Sequence, residues 1–352
     1  DNTLNETEAY FQYKIELDPN KMNVGDNYIV DSRKVSVTLR NGQPGEVTWY
    51  QFKVPVRQPE RRIGNINDFK SIRFMRMYMT KFTQNTFLRF ATLQLVRGDW
   101  RVYEQTLNKN NTPSGNATLD VTTVNIEENT DRKPVSYVVP PGVSRSTDPG
   151  QAQMLKENEQ ALSLKVTDLD PEDARAVYKT TGYDLRRYKR LQMFVHAEKQ
   201  IDGEELAKGD LTVFMRLGSD YKNNFYEYEI PLTITPEGTY YTNSQVDRYA
   251  VWPTDNMFDF PLELLKDVKL HRNREKRKNG STISYTTLYS EYDPDKKNNK
   301  VSVIGNPSLS EINVIMIGVR NNTRVVKSGE IWINELRLTD FDEKGGWAAQ
   351  GN

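Results

Sequence analysis

The sequence repeats itself, and that constrains its fold more than any other feature. Asp68–Met79 (DFKSIRFMRMYM) aligns without gaps on Asp184–Val195 (DLRRYKRLQMFV). Both read Asp, apolar, basic, any, apolar, basic, any, apolar, polar, Met, aromatic, apolar, where one of these slots is basic in the first copy and polar in the second. A third copy, Ser308–Val319 (SLSEINVIMIGV), keeps most apolar positions and loses the basic ones. Each alternates with period two and shifts phase partway, which predicts a strand carrying a bulge.

Two further elements recur. Tyr10–Leu17 (YFQYKIEL), Trp49–Val56 (WYQFKVPV) and Phe225–Leu232 (FYEYEIPL) superpose residue for residue. Aromatic and β-branched residues fill all three, as strands favour. Pro55 and Pro231 occupy the same place, predicting a strand end or edge, because proline cannot donate to a ladder. Leu88, Phe90, Leu93 and Leu95 match Ile331, Ile333, Leu336 and Leu338, with the phase slip at Ala91-Thr92 and Asn334-Glu335. Leu211–Leu217 reads as the middle copy of that element. The order aromatic strand, Asp strand, third strand runs through 49–95 and returns as 225–232, 308–319 and 330–338.

Repeated strands with turn-rich connections predict a mainly β chain: tandem antiparallel β-sandwich or jelly-roll-like domains with few short helices. The expected layout is a first sandwich over 1–107, an extended connection over 108–160, a second over 161–340, and a tail over 341–352. Pro261–Lys269 is the best helix, with Pro at its start. Asp170–Tyr178 suggests another helical turn or two. Residues 269–280 (KLHRNREKRKNG) read as an inserted basic loop.

Composition narrows the function. Mean hydropathy is −0.75, yet 19 Tyr, 13 Phe and 5 Trp argue for a folded chain. Lys+Arg and Asp+Glu are both 48, so the basic excess of a nucleic-acid binder is missing. No run approaches about 18 apolar residues, so no transmembrane helix is predicted. The chain opens at Asp1 without Met or an apolar leader, as expected of a piece of a longer polypeptide. Cysteine is absent, which excludes thiolate catalysis and disulfides within it.

Candidate chemistry is sparse. His196 and His271 are the two histidines, one on a predicted strand near Glu198 and one in the basic loop. Asp168, Asp170, Glu172 and Asp173 cluster as a calcium site might require, but lack an EF-hand's glycine and terminal Glu; a solvated turn is the simpler reading. Asp68 and Asp184 read as turn caps. Trp49, Tyr50, Phe225 and Tyr226 are the candidate contacts for a sugar face or a protein partner. No catalytic, cofactor-binding or metal-binding residue is assigned.

Three stretches resemble the SprA/Sov family of the Bacteroidota type 9 secretion system. They are Gly329–Ala349, Asn65–Tyr78 with Leu88–Ala91, and Arg132–Val143 leading into Asp173–Tyr178. The resemblance implies an outer-membrane β-barrel translocon that exports folded cargo and supports gliding motility. Its implied partners are cargo proteins with C-terminal signals, a PorV-like shuttle protein and a periplasmic plug protein. It implies no catalytic residue and no cofactor. The polar, sheet-rich character suggests a soluble insertion of such a barrel, as an extracellular cap or vestibule wall, with a periplasmic or pore-lining position as the alternative. A surface module binding glycan or cargo is the second reading.

Overall fold

Pairing decides which of these apolar runs become strands, because every backbone N–H and C=O needs a partner. In a computed structural model of the chain, the structure describes residues 9–24, 26–38, 42–67, 69, 72, 74–83, 85–91, 93, 100–105, 107–108, 115–145, 158–201 and 203–341. They fall into two compact units, residues 1–95 and 96–352.

In the first unit, strands β1 (Tyr10–Gln12), β2 (Ile29–Thr38), β3 (Pro44–Phe52) and β4 (Arg61–Ile63) form two antiparallel ribbons, β1 with β4 and β2 with β3. The repeat strand Trp49–Val56 is thus strand to Phe52 only, with Pro55 beyond its end. Of the expected strands at 68–79 and 88–95, every described residue from 69 to 93 is outside any strand. The remaining positions of those two stretches lie outside the described residues. Their sequence is as β-prone as its copies, so what differs is pairing.

The second unit contains β5 (Arg101–Val102), β6 (Thr118–Asn125), β7 (Gln160–Leu169), β8 (Ala174–Tyr183), β9 (Tyr188–Glu198), β10 (Leu211–Gly218) and β11 (Phe225–Pro231). Helix α1 (Gln245–Val251), β12 (Phe258–Pro261), helix α2 (Glu263–Lys276), β13 (Tyr289–Tyr292), β14 (Lys300–Ile304), β15 (Ile312–Asn321) and β16 (Lys327–Phe341) follow. Seven strands lie in the order β13-β14-β11-β10-β15-β8-β5 and five in the order β12-β9-β16-β7-β6, with every strand pair antiparallel. The mainly β, antiparallel fold with few helices is therefore the one the repeats predict.

The two sheets share one core. Leu164, Val166, Met193, Val195 and Ile331 from the five-stranded sheet pack in one cluster with Val213, Met215, Tyr228, Val303 and Ile317 from the seven-stranded sheet. Period-two alternation then turns Ser163, His196, Glu198, Glu330 and Trp332 to the opposite face of the five-stranded sheet. The slip at Asn334-Glu335 is a bulge: pairing of β16 with β9 jumps between Asn334 and Arg337, and Glu335 has φ +53°.

Three expectations change. Residues 269–276 are not loop but the second half of α2, whose buried face is Leu265, Val268 and Arg272 at helical spacing. Arg272 lies under the fold because its Nη1 donates to the Gly305 carbonyl at 2.6 Å. Asp170–Tyr178 is a turn leading into β8 rather than helix, because β8 gains a full ladder with β15. Within the expected extended connection, Thr118–Asn125 forms β6, and Val135, Tyr137 and Val138 are buried. The tail from 342 lies outside the described residues.

Gly318 on β15 has no room for a side chain. A Cβ there would sit 2.4 Å from the Phe214 ring and 2.8 Å from Ala176 Cβ. Gly318→Val should cost about 1–3 kcal/mol through overpacking, read as a lowered melting temperature with an unchanged far-ultraviolet β spectrum.

Candidate functional site

The densest polar chemistry lies on the outer face of the five-stranded sheet, under the crossing segment 132–143. Strand alternation presents His196 and Glu198 from β9, Glu330 and Trp332 from β16, and Ser163 from β7. Across the ladders, Glu330 faces Glu198 and Trp332 faces His196. Two carboxylates side by side on neighbouring buried strands require a cation. Arg132 supplies it: Nη1 donates to Glu198 Oε1 at 2.5 Å and Nη2 to Glu330 Oε2 at 2.5 Å. The guanidinium also lies 5.0 Å from the Trp332 ring centroid.

Glu330 is fully satisfied. Its Oε1 accepts from Ser163 Oγ at 2.7 Å and from Trp332 Nε1 at 3.0 Å. Burial alone would push this carboxyl up, but Arg132, Ser163 and Trp332 outweigh it and hold Glu330 below its usual range. Glu198 differs: burial dominates and pushes its carboxyl up despite Arg132.

Beside it lies a second buried group. His196 is fully buried, and its Nδ1 lies 2.7 Å from the Val251 carbonyl. A carbonyl only accepts, so Nδ1 carries hydrogen. In the neutral ring, Nε2 is then a bare lone pair, 3.5 Å from Glu198 Oε2. Neither atom has a hydrogen-bond partner. Two buried lone pairs facing each other are costly, and burial pushes the Glu198 carboxyl up.

The crossing segment is fastened along its length. Tyr137 hydroxyl donates to Glu159 at 2.8 Å, and Asn334 Nδ2 donates to Tyr137 oxygen at 3.1 Å and to Glu159. Burial pushes both Tyr137 and Glu159 up. Trp252 Nε1 donates to Val138 O at 2.8 Å. Arg248 of α1 donates to the carbonyls of Val139, Pro140 and Val143. His196 stacks on Trp332 with ring centroids 3.9 Å apart, and Trp252 lies 6.0 Å from His196. The arrangement clamps a chain segment to a sheet.

A second charged group covers the outer face of the seven-stranded sheet. Arg216 donates to Glu227 at 2.6 Å, Arg320 pairs with Glu229 at 2.6 Å, and Thr212 Oγ1 donates to Glu229 at 2.6 Å. Burial opposes ionisation of Glu229, but Arg320, Thr212 and Lys300 draw it down to about 2.

The structure does not gather the sequence-derived candidates into one site. Trp49 on β3 is 37% exposed and its neighbour Tyr50 is half-buried. Phe225 and Tyr226 correct the expectation of accessible contacts: they are 3% and 2% exposed. Strand β11 is interior to its sheet, so Phe225 packs under Arg216 and Tyr226 donates to the Pro307 carbonyl. His271 Nδ1 sits 2.9 Å from Glu291 on the surface of α2. Asp170 accepts from Gly115 N, and Asp173 is buried against Arg175. Among the described residues, no three His, Asp or Glu side chains converge as a metal would need. Asp184 accepts from Arg186 N, the turn cap its position predicts; Asp68 lies outside the described residues.

Arg132, Glu330, Trp332 and Trp252 were not singled out from sequence. The period-two pairs His196/Glu198 and Glu330/Trp332 are visible signals of a polar outer face. Arg132 lies 198 residues from Glu330, and no local pattern joins them.

Glu198→Gln tests the raised Glu198 carboxyl. A carboxyl raised on folding contributes its full stability below the unfolded value, near 4.3, and loses it as pH rises through the folded value. The amide keeps an oxygen for Arg132 and offers N–H to His196 Nε2. The variant's stability relative to wild type should therefore grow from pH 4 to pH 8, reaching about 1–3 kcal/mol, in denaturant titrations at each pH.

Across residues 1–352 the chain matches the SprA_N family model, described as a motility related/secretion protein. No curated protein matches it.

Proposed function

We propose, from the premise that this chain belongs to the SprA_N family of motility-related and secretion proteins, that it forms a non-catalytic wall of an outer-membrane protein-translocation channel. In this reading it is a water-exposed segment of the type 9 export machinery, an extracellular cap or vestibule through which folded cargo passes. The family match over the whole chain carries the reading. The polar clusters support it physically: buried Glu198 and Glu330 and the part-buried Arg132 fasten a segment to a sheet, which suits a rigid wall. No helix among the described residues is long and apolar enough to cross a membrane. Cargo proteins with C-terminal signals, a PorV-like shuttle protein and a periplasmic plug protein are the partners this role requires.

Trp49 favours a second reading, a glycan- or cargo-binding face, since it is an exposed indole on a β-ribbon. Glycan-array binding that disappears in Trp49→Ala, with folding intact, would support it.

Side of the membrane is tested by labelling. Arg277, at the C-terminal end of α2, is exposed. With Arg277→Cys in the full-length protein, a membrane-impermeant thiol reagent should label intact cells above a cysteine-free control. Labelling only after the outer membrane is opened would place the segment in the periplasm or the sealed pore.

A further inference from the structure

Charge balances over the whole chain, 48 Lys and Arg against 48 Asp and Glu, but it does not balance along α2. From Val268 to Lys278 the chain carries Lys269, Arg272, Arg274, Lys276, Arg277 and Lys278, and its one acid is Glu275. Cations in a last turn complement the helix dipole, which accounts for one or two of these and not for all of them.

Four of the six are engaged within the fold. Lys269 donates to the Pro307 carbonyl at 2.8 Å and Arg272 to the Gly305 carbonyl at 2.6 Å. Lys276 lies 4.0 Å from the Tyr285 ring centroid, and Lys278 pairs with Glu275 at 2.7 Å. Arg274 and Arg277 are exposed, and among the described residues no ion pair or side-chain hydrogen bond holds either of them.

Helical spacing sets these two in a line. Lys266, Leu270, Arg274 and Arg277 are all exposed and follow one another at four, four and three residues, so they share one face. The buried Leu265, Val268 and Arg272 occupy the opposite face. Leu270, in the middle of the line, is 51% exposed. Lys266 is offset by Glu263 at 3.6 Å, which leaves the two arginines and the leucine as the outward chemistry of the helix. Little of this face serves the fold.

We infer that the solvent face of α2 docks on an anionic lipid bilayer, with Arg274 and Arg277 at the phosphate headgroups and Leu270 reaching just beneath them. Charge complementarity calls for a dense anionic surface, where each cation strengthens binding about fivefold. The leucine favours lipid over a fully hydrated polyanion, because only lipid has an apolar layer to receive it. The inference rests on the outer-membrane setting of the proposed function and deepens it, since the helix would hold the segment against the bilayer.

The test is co-sedimentation of the 352-residue chain with vesicles of phosphatidylglycerol and phosphatidylcholine, and with vesicles of phosphatidylcholine alone. The ratio of the two affinities is read, so apolar adherence elsewhere on the chain cancels. At about 0.1 M salt the ratio should be about twentyfold or more, falling towards one at about 1 M. Arg274→Gln/Arg277→Gln should bring it below about threefold. Lys297→Gln/Arg324→Gln removes the same charge from two other exposed positions and should leave it unchanged. Leu270→Ser should weaken binding to the anionic vesicles about threefold. A wild-type ratio near one, or an equal loss in both paired variants, would overturn the inference. Loss with the arginine variant and none with Leu270→Ser would make this a site for a soluble anion and overturn the lipid assignment. The vesicles contain no channel, so none of these results bears on the channel reading, which the labelling of Arg277→Cys in intact cells addresses separately.

Discussion

One cation, Arg132, stands between two buried carboxylates on adjacent strands, and the outer layer of the five-stranded sheet depends on it. Glu198 and Glu330 face each other across the β9–β16 ladder. Removed from water, two such charges repel strongly, and an interior pair of this kind persists only when a cation and hydrogen bonds compensate. Arg132 meets both with its planar fork. One positive charge does not neutralise two negative ones. The two respond asymmetrically: Glu330, with Ser163 and Trp332 as donors, is held below its usual range, while burial pushes the Glu198 carboxyl up.

That clamp fixes everything laid over it. Because Arg132 opens the crossing segment, Tyr137 and Val138 are delivered onto Trp332 and Trp252, and Arg248 can cap the carbonyls of Val139 to Val143. The opposite sheet handles charge differently. Arg216, Arg320 and Lys300 outnumber Glu227 and Glu229, and they hold both carboxyls below their usual range against burial. The two outer faces therefore differ in pH response although both are buried ionic surfaces.

The β class, the strand repeats and the bulge at Asn334-Glu335 were legible because alternation and β-propensity are local properties. The end of β11 at Pro231 was legible for the same reason. What failed was non-local. The described residues of 68–79 and 88–95 have strand sequences but lie in no strand, and propensity cannot report a missing partner. Phe225 and Tyr226 look like Trp49 and Tyr50 in sequence, yet β11 is interior and covered while Trp49 remains exposed. Residues 269–276 read as loop because their charge density hid the stripe Leu265, Val268 and Arg272, in which a buried arginine replaces the expected apolar residue. The clamp itself was half visible: Arg132, Glu330 and Trp332 lie in the stretches Arg132–Val143 and Gly329–Ala349 that carry the family resemblance, Glu198 lies outside them, and their meeting is a fact of topology.

The central claim is that Arg132 binds the crossing segment to the sheet through Glu330. A double-mutant cycle with Arg132→Met and Glu330→Gln, followed by equilibrium denaturation, measures that coupling directly. Arg132→Met strips the buried Glu330 carboxylate of its cation, whereas in the double variant that carboxylate is gone, so a coupling energy of about 1.5–3 kcal/mol is expected, with the double variant losing less than the sum of the singles. Additive losses, with coupling below about 0.5 kcal/mol, would contradict it and reduce the ion pair to an incidental contact.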